Sequence, residues 1–206
     1  MGANAMTTLI NEEQRDCYQE ITNIAMGQAA DRLARLLNVY VILPIPAVNM
    51  ISASELHMAL ADTARNENVS AVCQGFIGSG IAGEALLVFN DASFSDLAQL
   101  MNYKGPLDRH GELELLMDVS SVLIGACIHG LGEQLDTSFN QGHPVVLGQH
   151  CHVHDLVKSG NHQWSQTLAI EIHYEIENMN INCDLLLLFT EDSVAKINQQ
   201  VDYLLD

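Results

Sequence analysis

Basic side chains are scarce in this chain: eight Lys and Arg stand against 26 Asp and Glu, a formal net charge of −18. A nucleic-acid binder needs a clustered cationic surface to displace counterions, and the cations here are spread from Arg15 to Lys196. The same field repels anionic lipid, so neither nucleic acid nor a membrane is an expected partner. Long apolar runs are also missing from a first reading, Leu185–Phe189 having the length of a buried strand. Met1–Met6 has no apolar h-region, so no secretory signal is expected. The five cysteines are odd in number and include no Cys-x-x-Cys, which fits reduced, mostly buried thiols in a cytoplasmic protein. There is no Gly-x-Ser-x-Gly elbow for a nucleophilic serine. The glycine run Gly78–Gly83 lacks the Gly-Lys-Ser/Thr ending and opens no helix, so it reads as a hairpin connection.

What the chain does have is a long amphipathic opening. Residues 11–38 read as one helix, with Glu12 and Glu13 in the first turn where the dipole favours them. Cys17, Ile21, Ile24, Ala25, Leu33, Leu36 and Leu37 are expected to face the core. That leaves Asp16, Glu20 and Asn23 pointing outward, Glu20 and Asn23 being neighbours at i and i+3. A mid-helix asparagine gains nothing from propensity. Arg15, Arg32 and Arg35 lie on the same helix.

The second half repeats the first. An offset of 98 residues carries Asp16, Glu20, Asn23, Gly27 and Pro46 onto Glu114, Asp118, Ser121, Gly125 and Pro144. Later, Gly83–Phe89 is echoed by Cys183–Phe189, and each leads into an acidic helical segment, Asp91–Met101 and Glu191–Tyr203. The period is too long for a solenoid. It implies an internal duplication within one domain spanning residues 1–206, with repeats at about 11–103 and 111–206 joined by the Gly/Pro break Tyr103–Gly111. In the second copy Ser121 replaces the amide and Asp118 is a methylene shorter than glutamate, so that site is expected to be degenerate.

Strands are expected at Val39–Leu43, Ala47–Ile51, Val69–Ile77, Gly83–Phe89, Gln166–Tyr174 and Asn182–Phe189, with a loop at Asp62–Asn68 and a polar stretch from Pro144 to Trp164. Within that stretch His150, His152 and His154 would share one face if the segment is extended, and imidazoles suit zinc, copper or nickel. No partner motif accompanies them, so no bound metal is expected and the three histidines are the candidates to watch.

The string Asp16-x3-Glu20-x2-Asn23-x22-Pro46, with Gly27 one turn beyond the asparagine, resembles the signature of the CheC/CheX/FliY family of chemotaxis phosphatases. That resemblance implies an α+β, pseudo-two-fold domain with a mostly antiparallel sheet packed against two long helices. It implies a hydrolase that speeds loss of phosphate from the aspartyl-phosphate of a CheY-type receiver domain. Asn23 would orient the attacking water and Glu20 would meet a receiver lysine, while Asp16, Gly27 and Pro46 support. No cofactor of its own is implied, the Mg²⁺ being the receiver's. CheD binding and homodimerisation stay open, and relatives such as the flagellar-switch middle domain make the non-catalytic adaptor the alternative.

Overall fold

The computed structural model describes residues 10–52, 54–56, 58, 68–158 and 166–205. Helix α1 (Glu12–Leu37) begins where Asn11 can cap it. The Asn11 side chain accepts from the Gln14 N–H at 2.8 Å, and the Gln14 side chain accepts from the Asn11 N–H at 3.0 Å. It ends at Asn38, whose left-handed φ of 55° turns the chain so that the Val39 N–H reaches back to the Ala34 carbonyl at 3.1 Å. Its buried stripe runs through Tyr18, Ile21, Ala25, Ala29, Leu33 and Leu37. Two residues expected there are not in it: Ile24, one turn from Glu20 on the outward face, and Leu36, in the last turn, are 40% and 45% exposed.

Short strands β1 (Val41–Ile42) and β2 (Ala47–Ile51) follow, then a long hairpin of β3 (Asn68–Gly78) and β4 (Ile81–Asn90). Ser79 and Gly80 turn this hairpin with φ of 49° and 75°, the two positive angles a type I′ loop demands. The turn is therefore shorter than the glycine run suggests. Asn68 already belongs to β3; the rest of the expected loop, 62–67, lies outside the described residues. A 3₁₀ turn (Asp91–Ser93) and helix α2 (Phe94–Leu100) close the first repeat.

The second repeat has the same order. Helix α3 (Arg109–Gln134) is capped by Asp108, which accepts from the N–H groups of His110 and Gly111 at 3.0 and 3.1 Å. Then come β5 (Asn140–Gln141), β6 (Val145–His152), helix α4 (Val153–Lys158), β7 (Thr167–Ile176), β8 (Asn182–Phe189) and helix α5 (Glu191–Leu205). Strand β6 corrects the expected polar stretch. It is an edge strand paired with β3, with register shifts and exposure along most of its length, so its sequence carries no clean alternation.

Among the described residues the strands form one antiparallel eight-stranded sheet in the order β1-β7-β8-β4-β3-β5, with β2 also on β7 and β6 also on β3. β4 and β8 pair at the centre, Leu86 facing Leu186. The partners flank them in mirrored order, β3 beside β4 and β7 beside β8, so the duplication reads as a pseudo-two-fold through the β4–β8 pair. This is the α+β architecture of two long helices on an antiparallel sheet. One face of the sheet, with Leu87, Ile170, Ile172 and Leu185, forms the main core with α1 and α3. The other face holds a smaller cluster of Leu56, Val69, Leu86, Val88, Leu156 and Leu186.

Helix α3 also corrects the reading of apolar runs. It has 26 residues, and its apolar window has a mean hydropathy of 1.6, so by length and composition it could cross a membrane. In the fold 67% of that apolar window is buried against the rest of the protein. It meets α1 closely: a Cβ at Gly130 would lie 2.9 Å from Ala25 Cα, so only glycine lets the two backbones approach there.

Candidate functional site

Helix α1 carries Asp16, Glu20 and Asn23 on one outward stripe, and all three are exposed. The stripe is outward because the opposite side is fixed twice over, by apolar packing and by α5. Tyr18 donates its hydroxyl proton to Asn198 Oδ1 at 2.6 Å inside the core, and Gln14 Nε2 donates to Asp202 Oδ1 at 2.8 Å. Among the described residues, no hydrogen bond or ion pair engages the Glu20 carboxylate or the Asn23 amide. Both remain available to a group from outside.

Pro46 is buried, and its carbonyl accepts from Gln19 Nε2 at 3.1 Å. The loop before β2 is thus fastened to α1 through the residue next to Glu20. Gln19 is a contributor that sequence reasoning missed, since nothing in its spacing announces a partner 27 residues away. Gly27 is half-buried, and a side chain there would meet nothing within 4 Å.

The second stripe is built differently. Glu114 and Ser121 are exposed, but each is engaged inside the chain. Glu114 accepts from the Tyr103 hydroxyl at 3.0 Å, which raises the Tyr103 pKa. The Ser121 hydroxyl donates to the Met117 carbonyl one turn back at 2.8 Å. Asp118 is exposed and Pro144 half-buried. A hydroxyl bonded to its own helix presents little to a partner.

The histidines do not form the face expected of them. His150 adopts φ 55°, and the chain turns helical at Val153, so His154 belongs to α4 and its side chain lies outside the described residues. His152 is exposed. The His150 ring instead sits between two carboxylates, Nδ1 at 2.8 Å from Asp91 and Nε2 at 2.6 Å from Glu112. Burial pulls its pKa down, but the hydrogen bonds and charges of Asp91 and Glu112 outweigh that and raise it. Among the described residues no three His, Cys, Asp or Glu converge as a ligand set.

Thiol chemistry is disfavoured at every cysteine. All five are free, and burial pushes each thiol up, Cys73 and Cys127 to about 12. For Cys17, half-buried beside the site, the charges of Glu20 and Asp202 add to the effect.

Neither a protein-family model nor a curated protein matches the sequence. Solved structures do match its shape. FliY from Thermotoga maritima is 18% identical, with a TM-score of 0.64 over 94% of this chain and 98% of that one. The fold is that of the CheC, CheX and FliY chemotaxis proteins. CheX from Desulfovibrio desulfuricans is 16% identical, with a TM-score of 0.55 over 83% of this chain and 99% of that one. The middle domain of FliM from Vibrio alginolyticus shares the fold too, at 12% identity and a TM-score of 0.62 over 89% and 99%.

Proposed function

We propose that the chain is a phosphatase for the aspartyl-phosphate of a response-regulator receiver domain, with Asn23 as its catalytic side chain and Glu20 beside it. The observation that carries this reading is the free, outward Glu20–Asn23 pair on a helix whose reverse side is anchored, set against a second helix whose Ser121 hydroxyl is turned inward. An acyl phosphate already has a good leaving group, and the receiver supplies its own Mg²⁺. What hydrolysis then needs is a water held in line with phosphorus. The Asn23 amide offers that water both a donor and an acceptor, as serine cannot. Glu20 makes a charge-assisted bond to a lysine of the receiver and so sets the docking register. Asp16 borders the contact, and Pro46, through Gln19, holds the adjoining loop.

The test is decay of phosphate from a receiver loaded with acetyl phosphate. Wild type and Ser121→Ala accelerate it, while Asn23→Ala loses roughly a hundredfold, equivalent to about 2.7 kcal/mol of transition-state stabilisation. Equal decay with and without the protein, across several receivers, supports the second reading instead. That reading is a non-catalytic adaptor, favoured by the likeness to the FliM middle domain.

A further inference from the structure

The outward stripe of α1 does not stop at Asn23. One turn on from Glu20 and Asn23 stand Ile24 and Gly27, and they open a groove of about 630 Å³ between α1 and α3. A mid-helix glycine is among the poorest helix formers, and no contact within the chain requires this one, because a Cβ at Gly27 meets nothing within 4 Å. The effect of the missing side chain is to leave the groove open beside Asn23. Ile24 contributes an exposed apolar wall.

The charges of the groove are unequal in what they have left to bind. Asp31 is held by Arg35 at 2.9 Å. Glu133 accepts from Gln28 at 3.1 Å and pairs with His129 at 3.5 Å. Arg32 lines the same groove, is exposed, and has no hydrogen bond or ion pair among the described residues. Asp31 is neutralised by Arg35, whereas Arg32 has no counter-ion among the described residues, so a carboxylate is its complement.

We propose that the groove seats an acidic segment of the phosphorylated receiver, with Gly27 admitting a side chain and Arg32 bonding a carboxylate; this rests on the function proposed above. At about 1.5 Å of rise per residue and 3.6 residues per turn, Arg32 lies roughly 14 Å along the helix from Asn23 and about half a turn round it, on the flank that lines the groove. Arginine suits the task because its planar fork can hold a carboxylate through two bonds. The contact also answers an electrostatic difficulty. Two acidic surfaces repel, and a cation in the groove counters that repulsion where the acidic segment sits and so sustains the encounter.

The experiment measures binding of a beryllofluoride-loaded CheY-type receiver by calorimetric titration, alongside turnover of the phosphorylated receiver. Arg32→Glu and Gly27→Leu, each checked for wild-type circular dichroism, are expected to weaken binding about tenfold or more and to raise KM more than they lower kcat. The Arg32 variant also changes the salt dependence of binding. Asn23→Ala, by contrast, binds like wild type and loses kcat. Wild-type binding by both groove variants overturns the groove while leaving the catalytic reading intact. Full turnover by Asn23→Ala removes the catalytic reading instead, and absence of any receiver binding by wild type removes both.

Discussion

Gly27 occupies a helical position where its only effect inside the chain is conformational, since open space surrounds the place of a Cβ. Replacing it with alanine is expected to stabilise the fold by about 1 kcal/mol, the usual difference between the two residues in a helix interior. Urea denaturation of Gly27→Ala against wild type checks this, and a loss of stability would show that the open space is not real. The same scale explains the asymmetry of the two stripes. Asn23 has no short-range partner of its own, whereas Ser121 has one a turn away at Met117. That the first stripe faces outward was readable from periodicity; that Ser121 and Glu114 are engaged internally was not, because a back-bonded hydroxyl and a Tyr103 contact leave no pattern in the sequence.

At the scale of elements, α1 is held in place by few but well-placed polar contacts. Tyr18→Phe keeps the packing and leaves Asn198 Oδ1 without the buried hydrogen bond it accepts at 2.6 Å. Such a loss costs about 1–3 kcal/mol, and thermal unfolding should read it as a clear drop in Tm. The His150 clasp joins three elements, the 3₁₀ turn after β4, the first turns of α3, and β6. Both ring nitrogens face carboxylate oxygens, so both are satisfied only when each carries a proton. The folded pKa is raised above its ordinary 6.5. The stability this group contributes is therefore complete below about pH 6.5 and is lost as pH rises through the raised value. Wild type should lose stability on going from mildly acidic to alkaline pH more steeply than His150→Gln, measured as Tm across that range; parallel curves would refute the clasp. The ends of α1 were legible because Asn11 and Asn38 are chemically suited to cap them. Strand β6 was not legible, since an edge strand with bulges and most side chains in solvent shows neither alternation nor an apolar run. His150 was misread for the same reason, its extended neighbourhood broken by a left-handed residue and a helix start.

For the whole molecule, the governing fact is that β4 and β8 are partners at the middle of one sheet while belonging to different repeats. Each half alone would leave that central edge bare, with Ala85–Phe89 on one side and Leu185–Phe189 on the other. Residues 11–103 expressed alone are expected not to unfold cooperatively and to aggregate or associate through the exposed strand. Circular dichroism melts with sedimentation are the check, and a monomeric half with a sharp transition would show that the repeats are independent. The duplication was legible from the repeat of about 98 residues, because both copies preserve the same order of helix and apolar strand runs, while the antiparallel α+β architecture was implied by the resemblance carried by Asp16, Glu20, Asn23 and Pro46. The pairing across the centre was not legible, since sequence periodicity reports which face a strand buries and says nothing of its neighbour.

The central pair also sets a clock during synthesis. Leu86 must wait for Leu186 to leave the ribosome before its strand is flanked on both sides. At about 5–20 residues per second that delay is of the order of 5–20 s. Throughout it a nascent chain carries an unpaired apolar strand, so the yield of folded protein should depend on translation speed and on chaperones that shield strand edges.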